Sequence, residues 1–343
     1  MRDIQSVWKT TPQERLLGMG FLANLAFPQM KRQDTPFVEL FKYAQNAKVA
    51  TVVQDGATPV LQTYETGTNQ AIKMPTTSDK FKVNTAEIYL EPEYSEYPSN
   101  IKDGIRLIEA ERRKRDQLAL ANRRWVESMA IGFVFGHGEF TYTPDGGSAI
   151  TINYGLLAEL QFDVGAADDT YYWGGANATP EKDVQTGIDA MIDNGGVPYA
   201  IVGRPELVEE FIESLLESKK YDSKNAEYGT LSPDAMMEFV GTKAGTFAGV
   251  QIFKYSGVIP GTGKLVPADK IAIVGKSDGN SRVVGKNEET FPTSASGLRV
   301  TRSADGMMFA GYSIETARYI AGSTTALPII GDTSSVATIK VKA

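Results

Sequence analysis

Residues 101–135, IKDGIRLIEAERRKRDQLALANRRWVESMAIGFVF, limit what this chain can fold into more than any other stretch. The stretch holds no proline, its glycines sit near its ends at Gly104 and Gly132, and its interior is built of good helix formers. A helix of that length runs roughly 50 Å. Ile101, Ile105 and Ile108, then Leu118, Ala121, Trp125, Met129 and Phe133, recur at helical spacing and give both ends an apolar face. Glu111 and Arg115 occupy the same face at the centre, as an i,i+4 pair of opposite charge. The pattern predicts a strut whose ends are buried and whose centre meets water or another chain.

Composition narrows the rest. A chain of 343 residues buries most of its unfolded surface in about two subdomains. Hydrophobic and charged fractions of 42% and 22% are those of ordinary globular chains. The net charge of −7 argues against a long nucleic-acid groove. Without cysteine there are no disulfides, zinc thiolates or thiol nucleophiles, and the single histidine, His137, rules out a multi-histidine metal site. The N-terminus lacks a signal-peptide core, and the longest apolar run, Met129–Phe135, is far short of a membrane span. The expectation is a chain that stays in the compartment that makes it.

Along the chain, Thr11-Pro12 reads as the start of a helix running to about Phe27, and FVELF and VATVV read as strands. Residues 54–85 are rich in Thr, Gly, Asp and Asn and read as a polar two-stranded ribbon turning near Gly67-Thr68-Asn69. Such a ribbon is marginal alone and finds its stability on another surface. Residues 86–100 give a strand through Ala86, Ile88 and Leu90, then an acidic turn. After the long helix, a hairpin turns through Pro144-Asp145-Gly146-Gly147. An α/β section follows, with helices at 181–194 and 204–219, a buried strand VPYAIVG at 197–203, and strands at 249–255 and 270–276. The last strands, 297–302, 307–314 and 336–341, make that section look inserted into a β frame built from both ends of the chain.

Few constellations carry chemistry. Pro260-Gly261-Thr262-Gly263-Lys264-Leu265 sounds like a phosphate loop, but Val258 stands where a glycine is needed and Leu265 where Ser or Thr would hold magnesium. It reads as a strand connection. His137, in Gly136-His137-Gly138, has no G-x-S-x-G partner and reads as a turn residue. Glu87, Glu91, Glu93 and Glu96 lack the spacing of a calcium loop and read as solvated surface. The basic run Arg112, Arg113, Lys114 and Arg115, with Arg123 and Arg124, could touch nucleic acid, yet Glu109, Glu111 and Asp116 interleave with it. Salt bridges within or between subunits are the expectation there. No catalytic, cofactor or metal site emerges.

A polar ribbon, a long charged helix passing into the hairpin FTYTPDGG with TINYG behind it, and the later segments YAIVGRPELVEEF, Tyr255-Ser256-Gly257, Leu265-Val266-Pro267-Ala268-Asp269, IAIVG and ALPIIGDTSSVATIKV follow in order. Together they resemble the phage major capsid protein E family, the lambda-like branch of the Hong Kong 97-type capsid fold. The resemblance implies an α+β fold with an N-terminal arm and first strands at 1–53 and an extended β-hairpin loop at 54–85. It implies a peripheral domain at 86–179 with spine helix 101–135 and hairpin 139–155. An inserted α/β axial domain would cover 180–290, and C-terminal strands 291–343 would return to the peripheral sheet. It further implies a structural protein, not an enzyme, whose hexamers and pentamers close into an icosahedral head around double-stranded DNA, without sequence-specific binding and without a membrane. Scaffold and portal proteins, and a decoration protein, would be its partners. The chain would be made in the host cytoplasm and reside in the virion. Glu65, Gly67, Thr68, Asn69, Lys73, Glu111 and Arg115 are the assembly-interface candidates. No self-crosslinking lysine–asparagine pair can be matched. An encapsulin-type compartment holding cargo protein is the alternative, and an unrecognised α/β enzyme the more distant one.

Overall fold

A computed structural model describes residues 20–35, 37–41, 69–83, 103–217, 242–259, 263–285, 294–302, 306–314 and 317–343. The long helix forms as its composition dictates, over Asp103–Phe135. Two six-stranded sheets are arranged along it.

The first sheet pairs the long strand Ala317–Ile329 with Thr76–Val83 on one side. On its other side lie Met308–Ile314, which carries Ser296–Arg302, and Ser281–Val284, which carries Gln29–Arg32. The helix crosses this sheet at Gly322, where a Cβ would come within 2.8 Å of the Leu118 Cβ. Leu118, Ala119, Phe309, Ile320 and Val83 fill the contact.

The second sheet runs in the order Gln161–Asp163, Val336–Lys340, Lys270–Gly275, Pro198–Gly203, Val250–Lys254, Thr242–Phe247. Its central strands, 198–203, 270–275 and 336–340, are largely buried on both faces, which is why they read as near-continuous apolar runs. Ile201, Ile271, Ile273, Ala337 and Ile339 point to one face, against Val184, Ile188, Met191, Val208 and Phe211 of the helices Pro180–Asp193 and Pro205–Glu217. The alternate residues Ala200, Val202, Ala272, Val274 and Val336 join the cluster of Met129, Ala130, Phe133 and Val134 at the end of the long helix. Each fully buried side chain of that size contributes about 1.5–3 kcal/mol, so this helix end is held firmly.

The hairpin Glu139–Tyr142 with Ile150–Asn153 forms as expected and folds back on the helix. Trp125 packs edge-on against Phe140 and Tyr142, with centroids 6.0 and 5.9 Å away. The Phe140 ring fills the space that a side chain at Gly132 would need.

Several expectations change. The last strand does not return to the sheet at the middle of the long helix. Its residues 336–340 pair antiparallel with 270–274, because Val336, Ala337 and Ile339 complete the α/β core. Residues 281–284, expected within the α/β section, belong instead to the other sheet. The hairpin 139–155 is a separate two-stranded sheet. The ribbon expected at 54–85 is not one element: 69–73 pairs with 37–41, while 76–83 enters the first sheet. In VPYAIVG, Val197 is 61% and Tyr199 37% exposed, so burial begins only at Ala200. The strands VATVV and 86–90, the helix start at Thr11-Pro12 and the turn at 67–68 lie outside the described residues.

The closeness at Gly322 gives a direct test. Gly322→Val should force the helix off strand 317–329 and destabilise the chain by about 1–3 kcal/mol, read as a lower denaturant midpoint at unchanged slope.

Candidate assembly surfaces

The central face of the long helix is buried, not open. Glu111 and Arg115 are each 3% exposed, because the strand 317–329 covers the face they share with Leu118. Arg318 Nε reaches Glu111 Oε1 at 2.6 Å, and Arg115 lies 4.0 Å from Asp116. The expectation that this centre meets water or another chain is corrected: its charge is used within the subunit. Local spacing could not reveal a partner more than 200 residues away. Burial also pushes the Asp116 carboxyl up, against the pull of Arg115 and Arg112.

About two turns before the helix end, Glu127 is fully buried and draws three parts of the chain together. Its carboxylate accepts from the backbone N–H of Leu22 at 2.8 Å and of Ala23 at 2.9 Å, and from the Tyr255 hydroxyl. The short helix Phe21–Ala26 has no side-chain cap of its own, so Glu127 satisfies its first donors from outside. Burial pushes the Glu127 carboxyl up, opposed by those three donors and the Arg282 charge. Burial and the neighbouring carboxylate push the Tyr255 hydroxyl well up, so it stays protonated as a donor.

His137 is a turn residue, as its sequence context suggests. It holds a positive φ of 53° between helix and hairpin. One ring nitrogen lies 3.0 Å from the Leu157 carbonyl and the other 3.2 Å from the Thr338 hydroxyl. A neutral ring that donates to the carbonyl and accepts from Thr338 satisfies both contacts. Burial lowers its basicity, the Leu157 contact opposes this, and Lys270 lowers it further.

The remaining surfaces are polar or frankly exposed. In the strand pair Phe37–Phe41 with Asn69–Lys73, Phe41 stands opposite Asn69 and Phe37 opposite Lys73. Val38, Ile72 and Met74 anchor the pair in the core, while Lys73 and Phe37 are exposed. Of the interface candidates, Asn69 and Lys73 lie on this pair, and Glu65, Gly67 and Thr68 lie outside the described residues. At the far tip of the α/β unit, Ile192, Val197 and Tyr199 are 53%, 61% and 37% exposed around the turn Asn194-Gly195-Gly196. Sequence reasoning missed this apolar tip. The signal was an apolar run longer than the strand core it feeds. Of the glycine-rich loop, Gly263–Lys264 pairs with Val258–Ile259, and the Lys264 ammonium binds Glu206, so the described part is a strand connection. The acidic cluster 87–96 lies outside the described residues, and no three His, Asp or Glu side chains among those described are grouped to hold a metal.

Two tests follow from this geometry. Glu127→Gln keeps one acceptor but turns an NH2 group toward a buried N–H, so it should cost about 1–3 kcal/mol, measured by chemical denaturation. Glu127, which is buried, and His137, which is half-buried, pull in opposite directions. With His137 held neutral, the folded state binds fewer protons than the unfolded chain, so its contribution is full above 6.5 and is lost as pH falls below it. Glu127, with its acid form favoured on folding, contributes most near and below 4.5 and less as pH rises above it. His137→Asn tolerates the positive φ. It should flatten the part of the melting-temperature profile that falls below pH 6.5.

Comparison with known proteins adds to this geometry. A family model described as phage major capsid protein E matches residues 18–295. A crystal structure described as a prophage capsid protein of E. coli CFT073 superposes with a TM-score of 0.63 at 13% identity, covering 98% of this chain and 97% of that one. A phage-related protein from Bordetella bronchiseptica RB50 gives 0.52 at 12% identity over 98% and 95%. The mature capsid protein of bacteriophage PhiM1 gives 0.50 at 10% identity over 94% and 86%. No curated protein sequence matches the chain. At these identities the structural likenesses establish the fold, an α+β fold of the Hong Kong 97 capsid type.

Proposed function

Because the chain belongs to the phage major capsid protein E family, and is therefore a structural capsid protein and not an enzyme, we propose that its copies assemble as hexamers and pentamers into an icosahedral head around double-stranded DNA. The observation that carries this reading is the family match over 18–295, on a chain whose two sheets are strung along one long helix. In this reading the first sheet, with the helix and the hairpin, is the peripheral domain, and the α/β sheet with its two helices is the axial domain. The apolar tip at Ile192, Val197 and Tyr199 fits contacts around the five- and six-fold axes, since an exposed apolar cluster marks an interaction site.

In this reading the extended loop, expected at 54–85, stands on the strand pair formed by 37–41 and 69–73, which brackets 42–68. Glu65, Gly67, Thr68, Asn69 and Lys73 reach a neighbouring subunit there. Glu111 and Arg115, turned inward, are left out of that interface. Each such contact is weak, but one subunit makes many and they act together. A closed shell also needs interfaces that serve two local symmetries. The chain is made in the host cytoplasm and ends in the virion, with a scaffold protein assisting closure, a portal at one vertex and a decoration protein outside.

Phe41 and Asn69 face each other across the strand pair, so a two-residue Asn-Gly turn can replace 42–68 without disturbing Val38, Ile72 or Met74. That replacement should leave a folded subunit by circular dichroism and abolish shells by negative-stain microscopy. Normal shells from the shortened chain would overturn the loop assignment.

A further inference from the structure

A glycine after Asp or Asn leaves the next backbone nitrogen unshielded, so such pairs are where a chain can react with itself. The sequence holds five Asp-Gly pairs, at 55–56, 103–104, 145–146, 278–279 and 305–306, and one Asn-Gly pair, Asn194-Gly195. Intrinsic reactivity favours Asn194-Gly195, because an amide carbon is a better electrophile than a carboxylate carbon. Folding reverses that order. Asn194 ends the helix Pro180–Asp193, and the chain leaves it through a closed C-cap. The Gly195 N–H donates to the Ile192 carbonyl at 2.9 Å and the Gly196 N–H to the Met191 carbonyl at 2.8 Å. The Asn194 side-chain amide is tied back as well, donating to the Ala190 carbonyl at 2.9 Å. At Asp278-Gly279 the Gly279 N–H donates to the Ser277 hydroxyl at 3.1 Å. Asp103-Gly104 is fixed in the first turn of the long helix. The pairs at 55–56 and 305–306 lie outside the described residues.

Asp145-Gly146, alone among the described pairs, is held in none of these ways. It is the tip of the hairpin that follows the long helix, and both residues are exposed. Pro144 to Gly147 form a β-turn, closed by the Gly147 N–H donating to the Pro144 carbonyl at 3.0 Å, with Gly146 at φ 69°. Among the described residues neither the Asp145 carboxylate nor the Gly146 N–H has a hydrogen-bond partner. Nothing lies within 4 Å of the place a Gly146 Cβ would occupy. The peptide joining the two residues is the central one of the turn. It can rotate without breaking the closing hydrogen bond, because glycine accepts either sign of φ. Below the tip, Phe140 and Tyr142 are packed against Trp125 of the helix. The turn is loose on a rigid base.

We propose that Asp145-Gly146 is a spontaneous modification site of the folded subunit, where aspartate converts to isoaspartate through a succinimide. The Gly146 nitrogen attacks the Asp145 Cγ and a C–N bond forms. The carboxyl hydroxyl and the Gly146 amide hydrogen leave together as water. Water then opens the ring at one of its two carbonyls. Opening at Cγ restores aspartate. Opening at the Asp145 main-chain carbonyl leaves the backbone running through Cγ, longer by one methylene, with the carboxylate on Cα. The net change in mass is nil, and no oxidant, metal or other co-reactant is consumed. The site does not depend on the capsid reading.

The test incubates the full chain at pH 7 and 37 °C, folded in one series and unfolded in guanidinium chloride in the other. Samples taken over several weeks are digested, and each peptide is read for isoaspartate by methyl transfer from an isoaspartyl methyltransferase and for deamidation by mass. In the folded chain isoaspartate should build up at 145 at least tenfold faster than at 278, with Asn194 intact. In the unfolded chain Asn194 should convert fastest of the three. Asp145→Glu, whose side chain would have to close a larger and slower ring, should remove the signal at the tip. Asp145→Asn should raise it severalfold, with ammonia leaving in place of water. Isoaspartate at 145 in the unfolded series only would overturn the proposal, since the turn would then be as restrained as the other pairs. Equal rates at 145, 194 and 278 in the folded chain would overturn it too, as would a signal at the tip that survives Asp145→Glu.

Discussion

The structure depends on one buried carboxylate. Glu127 has no contact with water, and three donors converge on it: two backbone N–H groups that open the helix Phe21–Ala26 and the hydroxyl of Tyr255 beside the α/β sheet. A buried carboxylate without such partners would be costly, and with them it becomes a fixed point. The helix Phe21–Ala26, the long helix and the α/β sheet meet there. The positions of Phe21 against Phe253 and Tyr255, with centroids 5.2 and 4.9 Å apart, follow from the same junction.

From that point the spine helix acts as a common rail. Its last turns are apolar and enter the core shared with the α/β sheet, while its centre lies on the strand 317–329. A charged face can be buried there because Arg318 meets Glu111 and because Gly322 lets the backbone approach. On the neighbouring strand 76–83 the contact turns polar: Thr77 donates to Asn122 of the helix at 2.7 Å, and beside it, within the sheet, the hydroxyls of Thr76 and Thr325 meet at 2.8 Å. These interactions fix the helix against the sheet in register, where an all-apolar contact could slide. The result is a rigid plate, beside which the strand pair 37–41 with 69–73 is anchored by Val38 and Ile72.

The sequence made some of this legible and hid the rest for physical reasons. The spine helix, the hairpin through Pro144–Gly147 and the buried strands around 201 and 273 could be read because their determinants are local: periodicity, turn residues and continuous apolar runs. The strand 317–329 was hidden because its middle, GSTT, has loop chemistry, and its buried hydroxyls find partners some 250 residues away. Glu127 looked like any helical glutamate, since Leu22 and Tyr255 are more than 100 residues from it. The centre of the helix was misread for the same reason. A face shared by Glu111 and Arg115 looks solvated until the strand that covers it is known. The order of segments carried the family resemblance, while the ownership of strands 281–284 and 336–340 depended on pairing that no local pattern encodes.

The central claim is that this subunit builds a closed shell. Its most direct test is cryo-electron microscopy, with mass by light scattering, on the unaltered protein purified after co-expression with its genomic neighbours. The account predicts closed icosahedral particles, or discrete hexamers and pentamers, with the spine helix tangential to the shell. A compact monomer or dimer under every condition, co-expression included, would contradict it.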